Sequence, residues 1–324
     1  MARGKLNAIT DVEGLLVGEA HDAKVRTGVS VLLPDEPLRA AVDVRGGGPG
    51  TRETDALALE TLVDQIDALV LSGGSVYGLA AADAVCRRLG AEGRGFGLVD
   101  RPGVPKTPIV PAAIIYDLAN GGQKDWGEEP PYAALAAKAL RASKRQVDLG
   151  KVGAGAGAMA GAYPGGLGTA SWVSEDGFTV GALVAVNSFG SPYLAGTNQF
   201  WAAPYEVDGE YGGRGMPPKP SAQGFPSDTK AAAPRENTTI AIIATDADLS
   251  CADLKRVAIM AQDGLARAIR PAHGPTDGDV IFAVSTSRRS VPMPSFMTVS
   301  HLGSIAGDVL ARAIARSVYA AESQ

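Results

Sequence analysis

Apolar and polar positions along the chain follow two periods. Short apolar runs bounded by turn residues, "TGVSVLL" (27–33), "AAVDVR" (40–45) and "DALVLSG" (67–73), read as strands. Stretches with an apolar residue every third or fourth position, "ETDALALETLVDQI" (53–66) and "SVYGLAAADAVCRRLG" (75–90), predict helices, the second capped by Ser75. "PPYAALAAKALRAS" (130–143) is a further helix opened by prolines. "GTASWV" (168–173) and "FTVGALVAVN" (178–187) are strands expected to pair across "SEDG". In "TTIAIIATDA" (238–247) one face carries Thr238, Ile240, Ile242 and Ala244, and the other Thr239, Ala241, Ile243 and Thr245. Both faces are mostly apolar, as in a strand covered on both sides. A helix follows, begun by Ser250 and Asp253 in a capping-box-like pair, striped by Leu254, Val257, Ala258, Ala261, Leu265 and Ile269, and stopped by Pro271. "DVIFAVST" (279–286) is a strand, and 302–322 a closing helix. The alternation predicts α/β layers with sheets buried beneath helices.

One tract breaks the pattern. Residues 202–237 hold six Pro and five Gly and show no period. A loop of that length inside a compact domain is uncommon and is usually functional or disordered. It ends abruptly at Asn237-Thr238-Thr239, where the buried strand begins.

Composition narrows the function. The 324 residues are 45% hydrophobic, with a net charge of −5 and no long basic run, which argues against nucleic acid or an anionic membrane as partner. The start lacks the apolar run of a signal peptide, and no segment approaches a membrane span, so a cytoplasmic protein is expected. Cys86 and Cys251 read as buried thiols. His21, His273 and His301 have no ligand spacing, and no metal or organic cofactor is expected. "GGSVYG" is not a serine-hydrolase elbow, because Tyr77 stands where that motif needs Gly. "GAGAGAMAG" fits a dinucleotide loop only weakly, and there is no P-loop. The 41 Gly cluster in "RGGGPG", "LSGGSVYG" and 150–168, which suits tight backbone packing or a site lined by backbone N–H groups.

The seam at Asn237–Thr238 carries the candidate chemistry. An amino-terminal Thr combines a nucleophilic hydroxyl with a general base, its own α-amine. That amine titrates near ~7.7–8.0, far closer to neutrality than a lysine at ~10.4. It exists only after the preceding bond is cut, and the Thr hydroxyl can cut that bond by attacking the preceding carbonyl. The alternative is an ordinary strand start, since Thr is a good strand former.

The chain resembles the autoproteolytic β-aminopeptidase family, which includes L-aminopeptidase D-esterase and the nylon-oligomer endohydrolase. The resemblance is carried by "DVRGGGPGTRETD" (43–55), "LSGGSVYGLAAADAV" (71–85), "PIVPAAIIYDL" (108–118), "VGAGAGA" (152–158), "GGLGTAS" (165–171), "VGALVAVN" (180–187), "ENTTIAIIATDA" (236–247) and "DGDVIFAVST" (277–286). It implies a four-layer α/β/β/α sandwich of the N-terminal-nucleophile type with its own connectivity. It also implies one domain self-cut at Asn237–Thr238 into a large piece, 1–237, and a small piece, 238–324, with 202–237 a flexible loop before the cut. Thr238 matches the nucleophile, Asp277 and Asp279 an acidic pair that orients it, Asn187 an oxyanion donor and Tyr116 a Tyr near the reacting carbonyl. Ser75 and Tyr77 are expected in the substrate pocket. The resemblance places a lysine where this chain has Ala162, and Lys151 is the nearest basic residue before the Gly/Ala run. Implied substrates are small peptides, β-peptides, amino amides or ω-amino-acid oligomers, acted on by a homo-oligomer, a tetramer. An acyltransferase of the same fold, as in ornithine acetyl transfer, and an uncleaved scaffold remain open.

Overall fold

The computed structural model describes residues 2–99, 101–219, 227–230 and 237–324. Its strands are β1 (Leu15–Asp22), β2 (Thr27–Pro34), β3 (Leu38–Val44), β4 (Thr51–Arg52), β5 (Gln65–Ile66), β6 (Leu69–Ser72), β7 (Ala112–Ile114), β8 (Met159–Ala160), β9 (Tyr163–Pro164), β10 (Gly166–Val173), β11 (Thr179–Asn187), β12 (Thr238–Ala247) and β13 (Val280–Arg289). The helices are α1 (Ala80–Ala91), α2 (Tyr132–Arg141), α3 (Cys251–Ala268) and α4 (Phe296–Glu322).

Two sheets stack face to face. One has the order β1-β2-β6-β7-β4 and the other β10-β11-β12-β13-β3-β5. Three apolar clusters fill the gaps between four layers. Val29, Val70, Val85, Leu135 and their neighbours join the first sheet to α1 and α2. Leu32, Leu71, Ile240, Ile242 and Phe282 lie between the sheets. Ala241, Ile243, Ile281, Leu265 and Leu310 join the second sheet to α3 and α4. The architecture is the expected α/β/β/α sandwich.

β12 is central, paired antiparallel to β11 and parallel to β13. Its even residues face the other sheet and its odd residues face the helices, which is why both sides read as apolar. Ile240, Ile242 and Ile243 are at most 1% exposed, and burying each contributes about 1.5–3 kcal/mol. The strand therefore has a fixed register, and its first residue, Thr238, has a fixed place.

Other expectations needed correction. Residues 53–66 do not form a helix; they hold a short 3-10 turn at Asp55–Leu57 and β5. Only Leu57 of its leucines is buried, while Leu59 and Leu62 are exposed, so the helical stripe has no face to pack against. Glu53 adopts φ 57°, which a continuing helix excludes, and its carboxylate accepts the Val110 N–H at 3.0 Å. Ser75 caps no helix. It stands in a 3-10 turn, Ser75–Leu79, that precedes α1, and has φ 52°. α4 starts at Phe296, ahead of residue 302; its first turn leaves Phe296 and Met297 exposed while Val299 already packs into the core.

The described part of the 202–237 tract is bound to the body. Glu210 pairs with Arg312 of α4 at 2.5 Å, both nearly inaccessible, and with Arg316 at 3.5 Å. Tyr211 is buried, its hydroxyl donating to the Ala202 carbonyl at 2.7 Å, and Arg214 reaches Glu322 at 2.6 Å. Residues 220–226 and 231–236 of this tract lie outside the described residues. Among the described residues no helix is long and apolar enough to cross a membrane.

Candidate active site

Sheet register assembles the site around the start of β12. Asn187, the last residue of β11, stands opposite Thr238. On the other side Asn237 bridges Asp277, just ahead of the parallel pairing of β12 with β13. Three chain segments remote in sequence thus meet at one strand end.

The seam itself is held by short polar contacts. Thr238 Oγ1 donates to the Asn237 carbonyl oxygen. The same oxygen accepts the Gly278 N–H at 3.0 Å. That donor polarises the carbonyl and is aimed where negative charge would develop if a nucleophile added to it. The Asn237 amide donates to Thr276 Oγ1 at 3.1 Å.

Gly278 explains the "DGD" stretch beyond a turn. A Cβ there would lie 2.8 Å from Thr238 Oγ1 and 2.8 Å from the Gly48 carbonyl oxygen. Only glycine lets the loop approach the seam this closely. The "RGGGPG" loop backs the same stretch. Arg45 and Gly46 N–H groups donate to the Asp279 carbonyl at 3.0 and 3.2 Å, and Gly48 N–H to that of Asp277 at 2.8 Å. A Cβ on Gly46 would meet the Asp277 carbonyl oxygen at 2.2 Å. This glycine cluster serves close backbone packing under the site.

Both aspartates are buried, and each braces the loop by its carboxylate. Asp277 accepts N–H groups of Gly274 at 2.7 Å and Phe189 at 3.3 Å. Asp279 accepts the N–H of Thr239 at 2.8 Å on one oxygen. On the other it accepts the His273 N–H at 3.0 Å, with His273 Nδ1 at 2.8 Å. Burial, and then the neighbouring charge of Asp279, push the Asp277 carboxyl up to about 6, against the pull of its two backbone donors. A carboxyl poised there can hold or release a proton near neutrality.

Asn187 has a fixed amide orientation. Its Oδ1 accepts the Met159 N–H at 2.9 Å, and its Nδ2 donates to the Tyr116 carbonyl at 2.9 Å. Lys230, which the residue pattern did not single out, donates from Nζ to Asn187 Oδ1 at 2.9 Å and to its backbone oxygen at 3.1 Å. Ala162 lies beside the same segment, its N–H donating to the Asp228 carbonyl at 2.9 Å. Lys151 is beside the C-terminus, its N–H on the Gln324 side chain at 2.7 Å.

Thr238 and Asn237 form one wall of a cavity of 430 Å³. Ser75, Val76 and Leu79 line a second wall, Ile114 and Tyr116 a third, and Gly48–Thr51 a fourth. Ser75, one of the two residues expected to line a pocket, is part of this lining. Tyr77 is half exposed and outside that lining, with its ring edge-on to Trp126 at 5.7 Å. Among the described residues no three His, Cys, Asp or Glu side chains gather as a metal site. The arrangement offers a hydroxyl on a polarised carbonyl at the cavity wall, with an oriented amide and a carboxyl near neutrality on the residues paired with that seam.

Known proteins share this framework. The chain is 43% identical to an uncharacterized aminopeptidase of Mycobacterium bovis, over 98% of this chain and 95% of the relative. It is 29% identical to the 6-aminohexanoate-oligomer endohydrolase of Paenarthrobacter ureafaciens, over 93% of this chain and 82% of that protein. Among solved structures, a β-aminopeptidase from Burkholderia sp. matches with a TM-score of 0.72 at 25% identity, covering 98% of this chain and 87% of that one. The L-aminopeptidase D-Ala-esterase/amidase of Ochrobactrum anthropi, described as a variant of the Ntn hydrolase fold, matches in fold with a TM-score of 0.71 at 24% identity, over 99% of this chain and 88% of that one. The sequence model of peptidase family S58 spans residues 7–324, so nearly the whole chain, sandwich and cavity included, belongs to that family, and the protein is an amide/peptide hydrolase.

Proposed function

We propose that the protein is a self-processing threonine amide hydrolase with Thr238 as nucleophile. The observation that carries this reading is the contact of the Thr238 hydroxyl with the Asn237 carbonyl, which already accepts the Gly278 N–H, at a cavity wall. In the first step Thr238 Oγ1 adds to the Asn237 carbonyl carbon. The C–N bond then breaks, its nitrogen takes the proton, and an ester joins Asn237 to the hydroxyl oxygen. Water opens the ester, leaving a carboxylate on Asn237 and a free α-amine on Thr238.

The second reaction uses the liberated terminus. The α-amine takes the hydroxyl proton as Oγ1 attacks a substrate amide carbonyl. Asn187 and backbone N–H groups hold the oxyanion, and removing one such donor typically costs ~10²–10³ in rate. The proton passes to the leaving amine, an acyl ester remains on Thr238, and water hydrolyses it. Asp277 and Asp279 keep the loop beneath the nucleophile rigid, and Tyr116 and Ser75 face the acyl group. The lining is hydroxyl-bearing and aliphatic, through Thr51, Ser75, Val76, Leu79 and Ile114. That surface suits short, uncharged amide segments such as small peptides, β-peptides, amino amides or ω-amino-acid oligomers.

The test is a substrate panel of those four classes with the parent and Thr238→Ala, and mass analysis of quenched reactions. Turnover by the parent, an acyl adduct on the piece beginning at Thr238, and loss of both in the variant are expected. Turnover by Thr238→Ala at the parent rate sinks the assignment. Transfer of the acyl group to ornithine in preference to water would mark acyltransferase chemistry instead.

A further inference from the structure

The tract before the seam does more than lead into it. Residues 227–230 are stitched into the body at several points. The Asp228 carbonyl accepts the Ala162 N–H at 2.9 Å, and its carboxylate accepts the Ser191 hydroxyl at 2.5 Å. Thr229 is buried, and the Lys230 N–H donates to the Phe189 carbonyl at 3.1 Å. None of these contacts involves the Asn237–Thr238 bond, so cutting it leaves them in place.

The Lys230 ammonium is thereby held on Asn187. Its Nζ lies 2.9 Å from Asn187 Oδ1, which also accepts the Met159 N–H at 2.9 Å. Two donors on one oxygen settle which end of the amide is oxygen and which is nitrogen. One of them is a cation, and a charge-assisted bond to an amide oxygen draws electron density from its nitrogen. The N–H groups of Asn187 become stronger donors, and a positive charge stands behind them.

We propose that Lys230 is a positioning residue for Asn187: it locks the amide orientation and charges the oxyanion site from a segment of the large piece that stays in place after the cut. The inference rests on the reading of Thr238 as nucleophile and Asn187 as oxyanion donor. Because a stronger donor matters most when the oxyanion forms, the effect falls on kcat rather than KM.

The experiment compares the parent with Lys230→Met, which keeps the length and removes the charge, and Lys230→Arg, which keeps the charge. Hydrogen bonds to charged groups carry enough free energy that Lys230→Met should lower kcat about 10- to 100-fold. KM and melting temperature should hold, and Lys230→Arg should recover most of the loss. A Lys230→Met enzyme with parental kcat overturns the proposal. So does a pair of variants that lose activity and melting temperature together to the same extent, which marks a structural role. Sequencing the new terminus and assaying Thr238→Ala in parallel keep the two readings apart. An uncut parent, or an active Thr238→Ala, refutes the nucleophile, whereas a neutral Lys230→Met in a cut, Thr238-dependent enzyme refutes only this inference.

Discussion

Gly278→Ala is the substitution that strains the seam most directly. The added Cβ would sit 2.8 Å from both Thr238 Oγ1 and the Gly48 carbonyl oxygen, and 3.1 Å from Thr238 Cγ2. Ordinary contacts begin several tenths of an ångström further out, so loop and strand must part. Parting them pulls the Gly278 N–H off the Asn237 carbonyl, to which it donates at 3.0 Å. An N–H aimed at a developing oxyanion is worth about 2.7–4 kcal/mol, or ~10²–10³ in rate. Self-cleavage should therefore slow by about that factor. Intact mass, followed over time after rapid purification, reads the uncut fraction. Gly48→Ala is the packing control, since its Cβ meets nothing closer than 3.7 Å and the N–H on Asp277 is kept. Cleavage of Gly278→Ala at the parent rate would refute the idea that this N–H drives the cut.

Three further outcomes test the framework. Glu210→Gln should destabilise the fold by about 3–5 kcal/mol in denaturant melts at neutral pH, because it leaves Arg312 buried without its counter-charge. Burial pushes the Glu210 carboxyl up, but the hydrogen bond and charge of Arg312 outweigh that and hold it below the ordinary range. Its contribution is therefore present above the unfolded value and lost as pH falls through the folded one. Glu19 is the opposite case: burial, and then the charge of Asp148, push its carboxyl up to about 8. The folded state binds the extra proton between about pH 4.5 and 8, so that stability fades as pH rises through this window. Glu19→Gln should flatten the slope, by roughly 3–5 kcal/mol across the window in urea melts. Ser250→Ala removes the oxygen that accepts the Asp253 N–H at 3.1 Å at the head of α3, and should cost about 1 kcal/mol in the same assay.

Where packing follows local pattern, the sequence was a good guide. β12 and α3 were legible because their apolar faces repeat regularly and Ser250 starts the helix with a local hydrogen bond. Residues 53–66 misled because their helical spacing is met by solvent, not by a core. β1 carries no run distinct enough to separate it from a turn, since Gly18, Glu19 and His21 interrupt it. In the site, Asn187, Thr238 and Asp277 are neighbours only through sheet register, which no spacing encodes; the resemblance supplied them as a set. Gly278 could have been found from the middle of "DGD", once that stretch is read as a close approach and not a turn alone. Lys230 could not, because it reaches Asn187 from a tract without period, across contacts with Phe189 and Ala162 that are remote in sequence.

The central claim is that the chain cuts itself before Thr238. Denaturing electrophoresis, intact mass and sequencing of any new amino terminus on the purified full chain test it most directly. The account predicts two associated pieces, the smaller beginning Thr-Thr-Ile-Ala-Ile. A single uncut chain after prolonged incubation in neutral buffer would contradict it, since Thr238 would then have no α-amine to act as base.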